Sequence, residues 1–213
     1  MTYTVKEVFH TIQGEGANAG RVAVFLRFTG CNLWTGRAED RGKGQGGCSS
    51  WCDTDFVGTN GVGGGRYASA TELARRVAET WRGGAVRRLV VCTGGEPLLQ
   101  LDEPLISALH DQGFQVAVET NGTQPAPRGL DWICVSPKRG GKLVLRSGHE
   151  LKLVVVQEGL HPRDFESLDF QHFLLQPMDG PARDQNTRWA LDYCLANSHW
   201  RIGLQAHKFL GIP

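Results

Sequence analysis

Short runs of Val, Ile and Leu alternate with segments of helical period along most of the chain, and almost every apolar run opens into a polar cluster. Val22–Phe28 reads as a first strand, and residues 88–92, 115–119, Trp132–Val135, 151–156 and 172–176 read as five more. Between them, residues 69–82 carry a capping box (Ser69 and Glu72), with Leu73, Ala74, Val77, Ala78 and Trp81 on one face, and Gly83-Gly84 stops the helix. A second helix opens at Asp102 or Glu103, has Pro104 in its first turn and ends at Gly113. A third covers 187–196, and residues 200–213 read as an extended tail. Strand–helix alternation of this kind predicts a parallel sheet with helices outside. Six strands with few full helices predict an incomplete barrel rather than an eightfold one.

Loops at the C-terminal ends of parallel strands carry the chemistry of such folds. The unusual residues collect there: 27–31 after the first strand, Thr93-Gly94-Gly95-Glu96-Pro97 after the second, and Glu119-Thr120-Asn121-Gly122 after the third. Ser136-Pro137-Lys138 follows the fourth strand and Gln176-Pro177-Met178-Asp179 the sixth. Two stretches account for much of the glycine: 36–47, expected as an ordered insertion or a mobile cover, and 58–65, expected as a linker. A formal charge of +1 excludes a bulk-charge argument for nucleic-acid coating or membrane-surface binding. No signal peptide is legible at the N-terminus, and the longest apolar run, 22–26, is far short of a membrane span. A cytoplasmic, reducing location is the expectation.

In that setting free cysteines are metal ligands or buried small hydrophobes rather than bridges. Cys31, Cys48 and Cys52 share one loop. Three thiolates without a fourth suit an iron–sulfur cluster that leaves one iron open to a small ligand. They equally suit a zinc site completed by a histidine or water. Cys92, Cys134 and Cys194 fall in apolar strands or a helix and are expected in the core. Gly94-Gly95-Glu96 exposes backbone at a strand end, where backbone groups and a carboxylate can hold an amino acid's ammonium and carboxylate.

The three-cysteine loop after the first strand, with Gly-Gly-Glu after the second, resembles the radical S-adenosylmethionine superfamily. Within it, Thr11-Ile12-Gln13-Gly14-Glu15-Gly16 resembles the opening signature of the 7-carboxy-7-deazaguanine synthase family. The resemblance continues through 25–34, Trp51-Cys52-Asp53-Thr54, 94–98, 119–123, 135–138, Leu175-Gln176-Pro177-Met178 and Gln205-Ala206-His207-Lys208. It departs at the cysteine spacing. The superfamily uses C-x3-C-x2-C and a subgroup lengthens the first gap, whereas here the spacing is C-x16-C-x3-C. Cys48 is still expected as a ligand, the extra residue being absorbed by the glycines before it.

The resemblance implies a partial TIM-like barrel of about six parallel strands, of radical S-adenosylmethionine type, forming one domain over 1–213. That domain would have an N-terminal substrate segment, a cluster loop at about 31–52 and a C-terminal tail at 200–213. It implies a carbon–nitrogen lyase of the queuosine and 7-deazapurine route, contracting 6-carboxy-5,6,7,8-tetrahydropterin to 7-carboxy-7-deazaguanine with loss of ammonia. A 4Fe-4S cluster on Cys31, Cys48 and Cys52 would act with S-adenosylmethionine, and Mg2+ would sit on Thr54. Trp51, Asp53, Gly95, Ser136, Pro137, Lys138, Gln176, Pro177, Met178 and Asp179 would hold S-adenosylmethionine. Ile12, Gln13, Gly14, Arg27 and Thr93 would line the pterin. Glu15, Glu119 and His207 are looser substrate candidates, and Pro213 would close over the site. A homodimer and an electron donor such as flavodoxin or ferredoxin are also implied, with no nucleic acid or membrane partner. Two rival readings are a glycyl-radical activase, which would lack the Gln-Gly-Glu-Gly opening, and a colourless zinc module.

Overall fold

The structure is a computed structural model and describes residues 2–213. Its elements in chain order are β1 (Tyr3–Ile12), β2 (Val22–Phe28), β3 (Gly65–Tyr67), α1 (Ala70–Thr80), β4 (Arg88–Gly94), α2 (Glu103–Asp111) and β5 (Phe114–Thr120). They continue with β6 (Trp132–Val135), β7 (Ser147–Val155), β8 (Asp169–Pro177), α3 (Arg183–Ala196), β9 (Trp200–Ile202) and α4 (Ala206–Leu210). One nine-stranded sheet runs β3-β1-β2-β4-β5-β6-β7-β8-β9. From β2 to β9 every neighbouring pair is parallel, while β1 is antiparallel to both β2 and β3.

The expected strands are all present, but the sheet is open and larger than about six strands. The additions are β1, β3 and β9. In β1 the register slips between Val5 and Glu7, so Val5 and Val8 both reach the core and period-2 alternation is lost. Two expectations for loops are corrected. Residues 58–65 are not a linker: Gly61 N–H donates to Lys6 C=O, Val8 N–H donates to Val62 C=O, and Gly65–Tyr67 pairs with β1. Side chains at Gly61 and Gly64 would collide with the Lys6 carbonyl, so glycine permits the close approach. The tail is extended only at its start, in β9, and then turns into the short helix α4.

Helix ends follow the local chemistry. Ser69 Oγ accepts from Glu72 N–H at 3.2 Å, and the Glu72 carboxylate accepts from Ala68 N–H, one residue before the cap, at 2.8 Å. Asp102 caps α2 by accepting from Leu105 N–H at 3.0 Å, with Pro104 in the first turn.

The core divides by sheet face. Leu73, Ala74 and Val77 of α1 and Leu105, Ile106 and Leu109 of α2 pack on Val24, Leu26, Val90, Cys92, Val116 and Val118. A second cluster joins Leu151, Leu153 and Val155 to Phe173, Leu175, Ala190 and Trp200. Each such aliphatic side chain stabilises the fold by about 1.5–3 kcal/mol when fully buried.

Strand alternation places different residues on the opposite face. There Ala23, Leu89, Val91 and Ala117 form an apolar floor beside Phe25 and Trp132. Two residues further along each strand the same face turns polar, at Arg27, Thr93 and Glu119. This face therefore changes from oil to charge along the strands, which places a polar cavity at their C-terminal ends.

Candidate active site

A cavity of about 720 Å³ opens at that edge. Of the residues that the sequence singles out as cluster, cofactor or substrate contacts, all but Glu96 and Pro137 line it. Pro137 lies buried beneath the rim, its carbonyl accepting from Gln157 Nε2 at 3.3 Å.

On one side of the cavity Arg27 and Thr93 are paired across β2 and β4. Arg27 Nε lies 2.7 Å from Glu7 Oε1, so one guanidinium edge is held and the rest faces the cavity near the Phe9 ring. Opposite stand Glu119 from β5 and Lys152 from β7. Lys152 Nζ lies 2.9 Å from Glu119 Oε2 and 2.5 Å from Glu15 Oε2. Gln13 Nε2 donates to Glu119 Oε1 at 3.1 Å, and Gln205 Nε2 donates to Glu15 Oε1 at 2.9 Å.

Burial raises both carboxyl groups and the shared ammonium lowers both, with opposite net results. Glu15 is held down at about 2, because Lys152 and two further positive or donor neighbours outweigh desolvation. Glu119 is raised, because desolvation, Glu150 and Glu15 outweigh its share of Lys152. Lys152 itself is held charged: its desolvation is overcome by Glu119 and Glu15. Sequence reading missed Lys152. The available signal was a lysine inside the apolar run Leu151-Lys152-Leu153-Val154-Val155, which a strand buries only with a partner.

The cysteine loop forms the other wall. Residues 36–47 are folded, not loose: Gly46 N–H donates to Leu33 C=O and Gly47 N–H to Arg139 C=O. Cys48 sits in the 3-10 turn Gly47–Ser50, and Cys52 N–H donates to Cys48 C=O at 2.7 Å. That single helical turn places residues four apart on one side. It gives the physical account of the longer second gap, because the turn itself takes up the extra residue as well as the glycines before it. Gly95 lies against this loop, and a side chain there would strike the Gly30 carbonyl and the Cys31 side chain.

The three thiols suit a cluster. Burial pushes Cys48 up to about 11, with the charges of Cys52 and Cys31 adding to it and Lys138 opposing. Cys31 is also raised, chiefly by burial. Thiols in this state need a cation to become ligands, and Lys138 supplies only part of that charge. Among the described residues no three His, Cys, Asp or Glu side chains gather as ligands of a single ion. Three thiols on one cavity wall suit a polynuclear cluster, in which each of three irons takes its own thiolate. Lys138 is half-buried, and desolvation lowers its ammonium. It donates to Ser136 Oγ at 2.5 Å and stands 5.9 Å over the Trp51 ring.

The expected part for the Glu96 carboxylate is corrected. It is fully buried, outside the cavity lining, and accepts from Thr120 Oγ1 (2.7 Å), Asn121 N–H (2.8 Å) and Leu98 N–H (2.9 Å). Burial raises it despite these donors. Glu96 fastens the β4 loop to the β5 loop, while Thr93, Gly94 and Gly95 face the cavity. Cys92 and Cys134 are buried as expected, and Cys194 packs half-buried on the second core cluster. Cys134 is also close to charge, its Sγ lying 3.5 Å from Glu150 Oε1.

The tail completes the enclosure. Ala206 N–H donates to Gly14 C=O at 2.8 Å, and Thr11 Oγ1 donates to Pro213 O at 3.0 Å. A side chain at Gly14 would collide with the His207 ring, so His207 is drawn into the site rather than solvated. Lys208 also lines the cavity, bound to Asp53 and Asp179.

An open, largely parallel sheet, with three thiols and a glycine-rich turn on loops above its C-terminal edge, is the arrangement that the resemblance to radical S-adenosylmethionine enzymes implies. No family model matches the chain. Curated relatives do so over their whole length. The 7-carboxy-7-deazaguanine synthases of Bradyrhizobium diazoefficiens and Caulobacter vibrioides are 60% and 59% identical, covering 100% of this chain and 100% of each relative. Among solved structures, the crystal structure of QueE from Escherichia coli superposes with a TM-score of 0.68 at 28% identity, covering 97% of this chain and 95% of that one. The chain belongs to the 7-carboxy-7-deazaguanine synthase family.

Proposed function

We propose that the chain converts 6-carboxy-5,6,7,8-tetrahydropterin to 7-carboxy-7-deazaguanine and ammonia, the carbon–nitrogen lyase step that feeds queuosine and related 7-deazapurines. The atoms balance without net oxidation, since the substrate less ammonia has the composition of the product. The observation that carries the reading is the convergence, on one cavity, of residues assigned from the family's motifs along the whole chain. Residues 1–213 act as one catalytic domain.

Cys31, Cys48 and Cys52 would hold a 4Fe-4S cluster, and Gly95, Ser136, Lys138, Gln176, Pro177, Met178 and Asp179, with Trp51 and Asp53, would hold S-adenosylmethionine. Bound together, cluster and S-adenosylmethionine supply the one-electron chemistry that begins the rearrangement. The chain's own residues bind and shield. Arg27 offers its free guanidinium edge to the substrate carboxylate or a ring carbonyl. Glu119, oriented by Gln13 and Lys152, accepts from the pterin's N–H edge. Lys152 keeps Glu15 ionised and restrains Glu119, so the recognition charges are set before substrate arrives. The tail from Gln205 to Pro213 keeps bulk water from the reacting ring. The protein would work in the cytoplasm as a homodimer, drawing electrons from a flavodoxin or ferredoxin. Among the described residues no helix is long and apolar enough to cross a membrane.

Anaerobic turnover tests this reading. Iron-loaded protein given S-adenosylmethionine, reductant, Mg2+ and the pterin is expected to yield 7-carboxy-7-deazaguanine by mass, with little net loss of S-adenosylmethionine. Cleavage of S-adenosylmethionine with the pterin untouched would overturn the substrate.

The magnesium role of Thr54 has its own test. Thr54 lies two residues after Cys52 and lines the cavity. Thr54→Ala is expected to flatten the stimulation of turnover by Mg2+ while leaving the cluster absorbance intact. Equal Mg2+ dependence in variant and parent would remove Thr54 from that role.

A further inference from the structure

Helix α4 buries no residue, and Phe209 and Leu210 point to solvent. Polar contacts therefore hold the tail across the cavity. On the substrate side these are the Ala206–Gly14, Gln205–Glu15 and Thr11–Pro213 hydrogen bonds described above. On the cluster side they come from one side chain: Lys208 Nζ lies 2.5 Å from Asp53 Oδ2 and 2.8 Å from Asp179 Oδ2. Asp53 follows Cys52 directly, and Asp179 ends the segment after β8. Their sequence positions lie far apart, yet both carboxylates meet one ammonium, and without it two like charges would face each other at close range.

We propose that Lys208 is a positioning residue that clamps the tail over the cavity by bridging Asp53 and Asp179. One charge thereby sets the cysteine loop, the β8 loop and the substrate-side segment relative to one another. The proposal rests on the functional reading above and adds the element that couples its two halves. The Lys208 side chain is 32% exposed, so each ion pair is individually modest. Their joint effect falls on how often the tail is closed, and thus on apparent affinity rather than on the chemical step.

The test uses full-length, iron-loaded parent, Lys208→Met and Lys208→Arg. Hydrogen exchange of the Ala206 and Ile212 amides reports closure without ligands, and KM for the pterin reports its consequence. Lys208→Met is expected to speed exchange of these amides by about fivefold to tenfold, the scale of two exposed ion pairs, and to raise KM. It should leave cluster absorbance unchanged, and Lys208→Arg should restore both readouts. Unchanged tail exchange in Lys208→Met would overturn the clamp, as would an arginine variant that behaves like methionine. If the parent fails to turn over the pterin, the functional reading falls, while the exchange comparison still decides the clamp.

Discussion

Alanine at any one of Cys31, Cys48 or Cys52 will leave reconstituted protein without a stable cluster and without turnover, whereas Cys92→Ala will load iron like the parent. All three thiols proposed as ligands line one cavity, and two of them are raised by burial and by their neighbours' charge. Removing one leaves an iron without its protein ligand in a wall that has no other thiol among its lining residues. Cys92 is fully buried in the core between the sheet and α1 and α2, and its thiol is pushed up to about 12 by desolvation alone. It behaves as a small hydrophobe, so its loss should cost packing and no iron. Iron content, visible absorbance and product formation check each variant. Full iron and full turnover in Cys48→Ala would break the assignment at the position where the spacing is unusual.

Lys152→Met is expected to be the most damaging change outside the cysteine loop. It would strand two carboxylates that now share a buried ammonium, and breaking a buried pair costs about 3–5 kcal/mol. For a chain of this size that lowers the thermal midpoint by about 6–20 °C. Turnover should fall with it, because Glu119 loses the partner that orients it. The sign with pH follows from the carboxyl groups. Glu15 sits at about 2 against its ordinary 4.5, so in the parent its pairing stabilises above that ordinary value and is lost as pH falls toward 2. In Lys152→Met the stranded carboxyls should instead favour their protonated form, so the gap between variant and parent should narrow as pH drops from 7 toward 5. Adding Glu15→Gln and Glu119→Gln to Lys152→Met should recover most of the midpoint, since no uncompensated charge then remains. A midpoint equal to the parent's in Lys152→Met at pH 7 would show that the triad carries no such weight.

Much of this site is legible in the sequence alone. The strand-end clusters Thr93-Gly94-Gly95, Ser136-Pro137-Lys138 and Gln176-Pro177-Met178-Asp179 stand where apolar runs stop, and a parallel sheet brings such ends to one edge. The helix caps at Ser69 and Asp102 were equally local. Other features were hidden for identifiable reasons. The bulge in β1 erased its alternation, and the three-residue strand β3 is too short to show any period. Helix α4 in the tail is illegible in the sequence because it has no apolar stripe and is held by polar contacts to distant segments.

What the sequence determined on its own was chemistry that is local or periodic: which residues form strands and helices, which loops follow them, and which thiols share a loop. Only the tertiary structure decided how charges pair across distance. Glu96 turned inward to fasten two loops, Lys152 joined Glu15 to Glu119, and Lys208 reached Asp53 and Asp179. The physical reason is that local preferences depend on neighbours along the chain, whereas a buried charge takes its role from whatever the folded sheet places within a few ångströms of it.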